Sequence, residues 1–316
     1  MEINEFCSEI KKQLVKKCEK EFGVDFDEVL IQSICKLNGT VLHACTIVLH
    51  NAPLSPNVYL DTFYLQYCMG KPMSFIVNEI MSDFYDANDT DIAKDSAQIM
   101  QNLNDKDYVL KNVFIMVMNA ELNNKMLEGI VHERKFDLAF TVRLLSSKSE
   151  DGIASSYLPN WEIEKLNLSI DEVLEAAYNN TKRIFPVRLR PMQQVIFDLI
   201  EKFPTYAAFD QEFIKVLKEC TTDYMYVVSN DVGIDGAFYL FDKETVQKFS
   251  EEQGKDLFLL PSSIHEGILL PELEETDIEF LKDMVKCAND ESVGQADLLS
   301  QSVYKYCRDT NEIIMV

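Results

Sequence analysis

Basic residues and histidine are scarce in this sequence. Its 316 residues include 30 Lys and Arg against 53 Asp and Glu, a formal net charge of -23, and only four histidines. Proteins that bind nucleic acid neutralise phosphates with Lys and Arg, so this balance argues against binding through phosphate contacts. It argues equally against docking on an anionic membrane surface. The excess charge is typical of a solvated surface, or of an acidic face that binds a basic protein partner or mimics nucleic acid.

Paired thiols and long hydrophobic runs are also absent. None of the eight cysteines forms a Cys-x-x-Cys pair, which excludes a zinc knuckle and a dithiol redox motif. We expect buried, apolar cysteines in a reducing compartment, and a packed histidine where His43 and Cys45 share one side of a predicted strand. The longest apolar run, Val113 to Met118, is too short to span a bilayer. The first residues lack the cationic and apolar regions of a signal peptide, so we predict a cytoplasmic protein.

The common catalytic and cofactor motifs are missing. The one tight glycine pair, Gly233 and Gly236, lies between two predicted strands and indicates a hairpin turn rather than a phosphate-binding loop. His132 and His265 each precede a glutamate, but no histidine follows at the spacing that zinc proteases require. There is no Gly-x-Ser-x-Gly elbow for a hydrolase serine. The sequence therefore predicts neither a metal nor a cofactor.

An Asn-Gly pair supports the clearest local prediction. The segments 29–37 and 40–49 are strand-like and flank Asn38-Gly39. Asn-Gly supplies the two positive-φ residues of a type I′ turn, so we predict a β-hairpin with Cys35 opposite Leu42.

The rest of the first domain is predicted to be helical. One helix runs from Asn4 to Phe22, and three more follow the hairpin, the third from the Asn88–Asp91 cluster to about Leu103. A polar break then divides the chain into predicted domains of residues 1–105 and 106–316. The overall class is α+β, with an N-terminal unit of helix, hairpin and helices.

The second domain alternates more finely between strand and helix. We predict a mainly antiparallel sheet with helices on one face. In its last third the segments 224–229 and 237–241 are predicted to pair as strands across the glycine-containing turn, followed by a helix over 243–253.

One short loop gathers groups with chemical potential. Residues 260–266 read Leu-Pro-Ser-Ser-Ile-His-Glu, which places Ser262, Ser263, His265 and Glu266 between two predicted strands. Hydroxyl, imidazole and carboxylate groups form a nucleophile and its base when they lie within hydrogen-bond distance. The alternative is a turn whose side chains bond to local backbone.

Arg188 and Arg190 are candidates for holding an anion beside that loop. A guanidinium binds carboxylate or phosphate through paired N–H groups, so either arginine could hold an anionic substrate. In an acidic protein the alternative is an internal ion pair with Asp or Glu.

Five segments carry a resemblance to a known family: Lys-Leu-Asn-Gly at 36–39, and residues 57–67, 180–186, 260–266 and 298–306. Over nearly its whole length the sequence resembles a family of uncharacterised proteins common in Clostridia and related gut bacteria. The order of elements is also remotely similar to the YtpQ-like uncharacterised proteins. Neither family has an established activity, cofactor or catalytic residue, so the resemblance implies only the fold and a cytosolic bacterial origin.

Two functions from different classes are consistent with the sequence. The first is a non-catalytic interaction or regulatory protein with an acidic surface, which the missing catalytic motifs favour. Its acids are densest from Glu272 to Asp283, where six of twelve residues are Asp or Glu and which we expect to be a solvated helix face. The alternative is a hydrolase-like enzyme that uses the loop from Ser262 to Glu266 with one of the two arginines. The sequence leaves open whether the chain is an enzyme.

Overall fold

The chain forms two compact units, Met1–Asp105 and Lys106–Val316. A computed structural model describes residues 1–50, 52, 55–89, 102–149, 152–202 and 224–316. The predicted α+β class with mainly antiparallel sheets is confirmed. That each unit folds as an independent domain stays a prediction, and most of the predicted helix from residue 88 to 103 lies outside the described residues.

The first unit combines one small sheet with helices. Its elements in chain order are α1 (Ile3–Phe22), β1 (Phe26–Cys35), β2 (Val41–Leu49), β3 (Asn57–Tyr59), α2 (Asp61–Cys68) and α3 (Met73–Asn88). The strands pair antiparallel in the order β1-β2-β3. The predicted apolar stripe of α1 is fully buried at Phe6, Ile10 and Leu14 and shares one core cluster with residues of β1, β2 and α3. Each such side chain contributes on the order of 1.5–3 kcal/mol of burial free energy.

The hairpin turn has the predicted backbone conformation. Asn38 has φ 56° and Gly39 has φ 72°, so both central residues occupy the left-handed region that Asn and Gly tolerate. The turn closes where the Thr40 N–H donates to the Leu37 carbonyl at 3.2 Å.

The predicted hairpin register is wrong by one residue. Cys35 lies opposite Val41, not Leu42. The reason is a bulge beside the turn: the Lys36 N–H donates to the Thr40 carbonyl at 2.6 Å, so two successive residues oppose Thr40. One inserted residue shifts the pairing of the two strands by one position along the whole hairpin. Because side chains alternate between the faces of a strand, every cross-strand pair changes.

The second unit begins with a sheet built around one long strand. Its first elements are α4 (Lys106–Asn112), β4 (Val113–Asn119), α5 (Asn124–Leu127), β5 (His132–Lys135), β6 (Leu138–Ser149), β7 (Gly152–Tyr157), α6 (Asn160–Lys165) and α7 (Ile170–Ile184). Strand β6 pairs antiparallel with β4, β5 and β7. All residues of β4 from Val113 to Met118 are buried, which is why the longest apolar run of the sequence lies there.

A six-stranded antiparallel sheet completes the second unit. Its elements are β8 (Val187–Pro191), α8 (Met192–Lys202), β9 (Tyr226–Asn230), α9 (Phe238–Phe241), α10 (Lys243–Gln253), β10 (Leu257–Pro261), β11 (Gly267–Pro271), α11 (Ile278–Ser292), β12 (Tyr304–Cys307) and β13 (Glu312–Met315). The strand order is β13-β12-β10-β11-β9-β8. The described residues of this unit therefore form two sheets, and β8 and β13 are the edge strands of the larger one.

The predicted strand over residues 237–241 is wrong, because these residues form the short helix α9. Gly236 sets the change of direction. An added Cβ at this position would lie 2.6 Å from the carbonyl oxygen of His265 and 2.7 Å from the backbone nitrogen of Asn230. The chain packs against itself at this point, and its following apolar residues enter the core as one helical turn. A run of four or five apolar residues is consistent with both the alternation of a strand and the repeat of a helix. The sequence pattern therefore does not distinguish a strand from a helix here.

A single carboxylate connects the β5–β6 turn to the segment before β12. Asp137 accepts hydrogen bonds from the hydroxyls of Ser300 at 2.6 Å, Ser302 at 3.3 Å and Tyr304. Tyr304 is fully buried. Burial raises the pKa of Tyr304, and its hydrogen bond to Asp137 raises that pKa further, so the phenol stays protonated and remains a donor.

The cysteines divide into buried and exposed sets. Cys7, Cys18 and Cys45 are buried as predicted, whereas Cys35, Cys68 and Cys287 are exposed and Cys307 is half-buried; Cys220 lies outside the described residues. Burial raises the pKa of Cys18 to about 11 and that of Cys45 to about 12.

We expect thiol alkylation at pH 8 to separate these sets. The thiolate is the reactive form, and a pKa raised from 9.0 to about 11 lowers its fraction about a hundredfold at this pH. Mass spectrometry after brief alkylation should find Cys35, Cys68 and Cys287 modified, and Cys18 and Cys45 at least tenfold slower. Denaturant should abolish the difference; equal rates in the folded protein would contradict the buried packing of α1 against β2.

Candidate functional site

The predicted loop connects β10 to β11, and its polar groups are used largely to form the turn. The Ser263 N–H donates to the Glu266 carbonyl at 3.1 Å, and the Ser263 hydroxyl accepts from the His265 N–H at 3.0 Å. The Ser262 side chain makes no hydrogen bond in the described part of the chain. This is the geometry of the alternative stated above, in which a serine hydroxyl stabilises local backbone.

The imidazole of His265 contacts acids rather than serines. Its Nδ1 accepts the Asp235 N–H at 3.1 Å, and its Nε2 lies 3.5 Å from a carboxylate oxygen of Asp297. Because Nδ1 is an acceptor, the neutral ring carries its proton on Nε2. Among the described residues, no hydrogen bond joins this imidazole to Ser262 or Ser263, so the structure does not bring together the nucleophile and base that a serine hydrolase uses.

A charged cluster lies next to this imidazole. Burial raises the pKa of Asp235, and the negative charge of Asp297 raises it further, whereas the interactions of Asp235 with Arg143 and His265 oppose this rise. Arg143 lies over the ring of Tyr157 at 4.4 Å from the centroid and donates to the Ser155 hydroxyl at 2.9 Å.

The loop between β9 and α9 does not present its backbone N–H groups to a ligand. The Asn230 carboxamide oxygen accepts from the N–H groups of Val232 at 3.1 Å and Gly233 at 2.7 Å. Its amide nitrogen donates to the Ile234 carbonyl at 2.7 Å. A side chain of the loop itself therefore occupies the position that a phosphate would need.

The two candidate arginines lie on β8, two strands away from the loop in the sheet. Arg190 forms an ion pair with Asp198, which is the alternative stated for it above. Arg188 is exposed and lies opposite Ser229. Ser229 in turn donates its hydroxyl to the His265 carbonyl at 2.7 Å. Among the described residues, no hydrogen bond or ion pair joins either arginine to His265 or Glu266.

In the first unit, His43 is packed against an acid. Its Nδ1 lies 3.0 Å from one oxygen of Asp61, whose other oxygen accepts the His43 backbone N–H at 2.8 Å. Cys7 lines the same surface depression as His43, but burial raises the pKa of Cys7 and the charge of Asp61 raises it further, so the thiol is protonated. Among the described residues, no three His, Cys, Asp or Glu side chains are placed to hold a metal ion.

The acids form a distinct surface on α11. The sequence from Glu272 to Asp297 contains nine Asp or Glu and two lysines. Leu281 and Val285 of α11 face the core, and the opposite side carries exposed residues at i, i+3 and i+4 spacing. We call these residues the acidic helix surface: Phe280, Asp283, Cys287, Asp290 and Glu291.

The three carboxylates of the acidic helix surface have no cationic partner among the described residues. Lys282 pairs with Glu279 at 2.9 Å, outside the acidic helix surface. In the described part of the chain, no base forms an ion pair with Asp283, Asp290 or Glu291. Phe280 is 64% exposed, although Phe is among the residues most often buried. Helix α11 thus presents one aromatic ring beside three acids that form no ion pair within the described ranges.

Comparison with known proteins assigns the chain to a family. Residues 3–308 match a family of unknown function, DUF5688. The chain belongs to this family. No curated protein and no solved structure matches it. Membership in DUF5688 confirms the resemblance to an uncharacterised family and transfers no activity.

Phe280 is the surface residue of this DUF5688 chain that sequence reasoning missed. A helix with Ile278, Leu281 and Val285 on its buried face places residue 280 on the other side. An aromatic residue out of phase with the apolar stripe, within an acidic run, could have been recognised from the sequence. None of the helices that the structure describes is both long and apolar enough to cross a membrane.

Proposed function

We propose that this chain is a non-catalytic interaction protein that binds a basic partner protein through the acidic helix surface. The observation that carries the proposal is the exposed ring of Phe280 beside carboxylates that form no ion pair with any residue the structure describes. Unpaired acids on a solvated helix keep their charge available, so a partner that supplies Lys or Arg gains attraction without displacing an existing ion pair.

The ring and the acids have different parts in this binding. The long-range field of the acids increases the association rate and selects for a basic partner. A single aromatic side chain, covered by the partner, supplies most of the apolar contact energy. The partner surface that fits is therefore a basic segment with a small apolar recess.

Several further expectations belong to this proposal. The protein acts in a reducing bacterial cytoplasm and does not bind nucleic acid through phosphates or dock on an anionic membrane, because its charge has the wrong sign. The remote similarity to YtpQ-like proteins stays a prediction. The hydrolase alternative lacks support, because among the described residues no hydrogen bond joins the imidazole of His265 to a serine hydroxyl.

The test is capture followed by measured binding. The full chain would be immobilised in bacterial lysate at low and moderate salt, and each captured protein purified and titrated against variants. We expect Phe280→Ala to weaken binding about tenfold, and the triple variant Asp283→Lys, Asp290→Lys, Glu291→Lys to weaken it at least as much. Because these positions are exposed, both variants should keep wild-type stability.

A charge-matched control separates this surface from overall charge. The triple variant Glu164→Lys, Glu175→Lys, Asp309→Lys changes three exposed acids elsewhere in the second unit and the net charge by the same amount. It should retain binding to within about threefold at moderate salt, since exposed charges distant from a contact are screened. Equal losses in both triple variants, or no specific partner at either salt concentration, would disprove the proposal.

A further inference from the structure

Strand β8 lies at an edge of the six-stranded sheet, and some of its backbone groups have no partner among the residues that the structure describes. In its antiparallel pairing with β9, the Asp231 N–H donates to the Pro186 carbonyl and the Met192 N–H to the Met225 carbonyl, both at 2.9 Å. Hydrogen-bonded pairs alternate along an antiparallel ladder. The backbone of Arg188 and Arg190 therefore faces β9, and that of Val187 and Leu189 faces away from the sheet.

In the part of the chain that the structure describes, these outward groups form no hydrogen bond with another segment. Neither Val187 nor Leu189 has a hydrogen bond outside the β8–β9 ladder in the structure as described. Val187 is 46% exposed, and its side chain is apolar. Two N–H groups and two carbonyls two residues apart thus present the pattern that another extended chain pairs with.

A groove runs along this open edge. It has a volume of about 500 Å³ and is lined by Val187 and Leu189 on one side and by Thr245, Lys248 and Phe249 of α10 on the other. Neither Arg188 nor Arg190 lines it, which agrees with side chains that alternate between faces. The groove therefore combines apolar wall surface with main-chain donors and acceptors that have no partner in the described ranges.

We propose that an extended peptide segment of another protein binds in this groove as an added strand of the sheet. Its main chain pairs with the outward N–H and carbonyl groups of Val187 and Leu189. Its alternate side chains enter the groove between β8 and α10. This site is separate from the acidic helix surface and does not depend on the function proposed for that surface.

The groove specifies the chemistry of the peptide. Lys182 is already paired with Asp242 and Glu244, each at 2.8 Å, so these charges are not available to a ligand. Lys248 and Glu252, one helical turn apart, offer one charge of each sign. With little net charge, the groove fits a peptide that has apolar residues at positions i and i+2 and no proline between them.

The experiment uses the full chain and a displayed library of random dodecapeptides. Enriched peptides would be synthesised and titrated by fluorescence anisotropy against wild type, Val187→Pro and Val187→Thr. Proline removes the outward N–H without removing a ladder bond, and threonine keeps both the N–H and the β-branched shape. We expect at least tenfold weaker binding to Val187→Pro and less than threefold change for Val187→Thr.

A second measurement does not depend on how the proline variant folds. Amide hydrogen exchange of the wild-type chain should show the N–H groups of Val187 and Leu189 protected only when peptide is bound. Phe280→Ala should bind the peptide unchanged. The proposal is overturned if no peptide is enriched, or if enriched peptides lose affinity for Phe280→Ala. It is also overturned by a dimer that Val187→Pro dissociates, because a second copy of the chain would then occupy the edge.

Discussion

Asp137→Ala is expected to lower the free energy of unfolding by about 4 kcal/mol. The carboxylate accepts three hydroxyl hydrogen bonds, from Ser300, Ser302 and the buried phenol of Tyr304. Hydrogen bonds to a charged group contribute about 1.5–3 kcal/mol each, and they are not fully additive when they share an acceptor. Alanine also leaves the Tyr304 hydroxyl inside the fold without its main acceptor, which adds a desolvation cost.

Urea unfolding of the wild type and variants would measure this loss. Tyr304→Phe removes one of the three donors while keeping the ring, and should cost about 1–2 kcal/mol. Asp309→Ala, an exposed acid between β12 and β13, is the matched control and should change stability by less than about 0.5 kcal/mol. A loss below about 1 kcal/mol for Asp137→Ala would show that these hydroxyls bond equally well to water.

Gly236→Ala is expected to destabilise the fold by about 3 kcal/mol, because the new methyl group has no space. It would lie 2.6 Å from the His265 carbonyl oxygen and 2.7 Å from the Asn230 nitrogen, and backbone atoms cannot rotate away as a side chain does. The Gly236 N–H also donates to that carbonyl at 3.1 Å, so a shift of the chain would weaken this bond. Overpacking of this kind costs about 1–3 kcal/mol or more.

Thermal unfolding with a glycine control would test this expectation. At Gly129 an added Cβ has its nearest neighbour at 3.9 Å and the backbone has no positive φ, so Gly129→Ala should be neutral or slightly stabilising. A chain of this size loses roughly 2–4 °C of Tm for each kcal/mol. Gly236→Ala should therefore melt several degrees below both wild type and Gly129→Ala; an unchanged Tm would contradict the close packing of the β9–α9 loop.

Local chemistry predicted local structure well in this chain. The spacing from Phe6 to Leu14 predicted the buried stripe of α1, and Asn38-Gly39 predicted two positive-φ residues in the hairpin turn. The register of that hairpin was beyond the sequence pattern, because the bulge depends on one extra hydrogen bond of Lys36 with Thr40. A single inserted residue has almost no compositional signature.

Tertiary packing determines the secondary structure where the hydrophobic pattern of the sequence fits both a strand and a helix. Residues Phe238–Phe241 are apolar enough for a strand, but the contact of Gly236 with two other segments directs the chain into helix α9. The same limit applies to the candidate site. His265 has acids as neighbours because the loops that carry Asp235 and Asp297 meet the β10–β11 turn, and no sequence spacing shows such a meeting. The edge position of β8 likewise follows from strand order alone.

The prolines that bracket β8 have a consequence for self-assembly. Fibril-like growth requires long, flat strand edges on which chains stack without limit. Pro186 precedes the strand and Pro191 ends it, and neither can donate an N–H, so the open edge offers only the short stretch between them. A strand edge of this length can accept one short segment, but it is too short to template a growing stack of chains. We therefore expect that this edge does not drive aggregation of the protein.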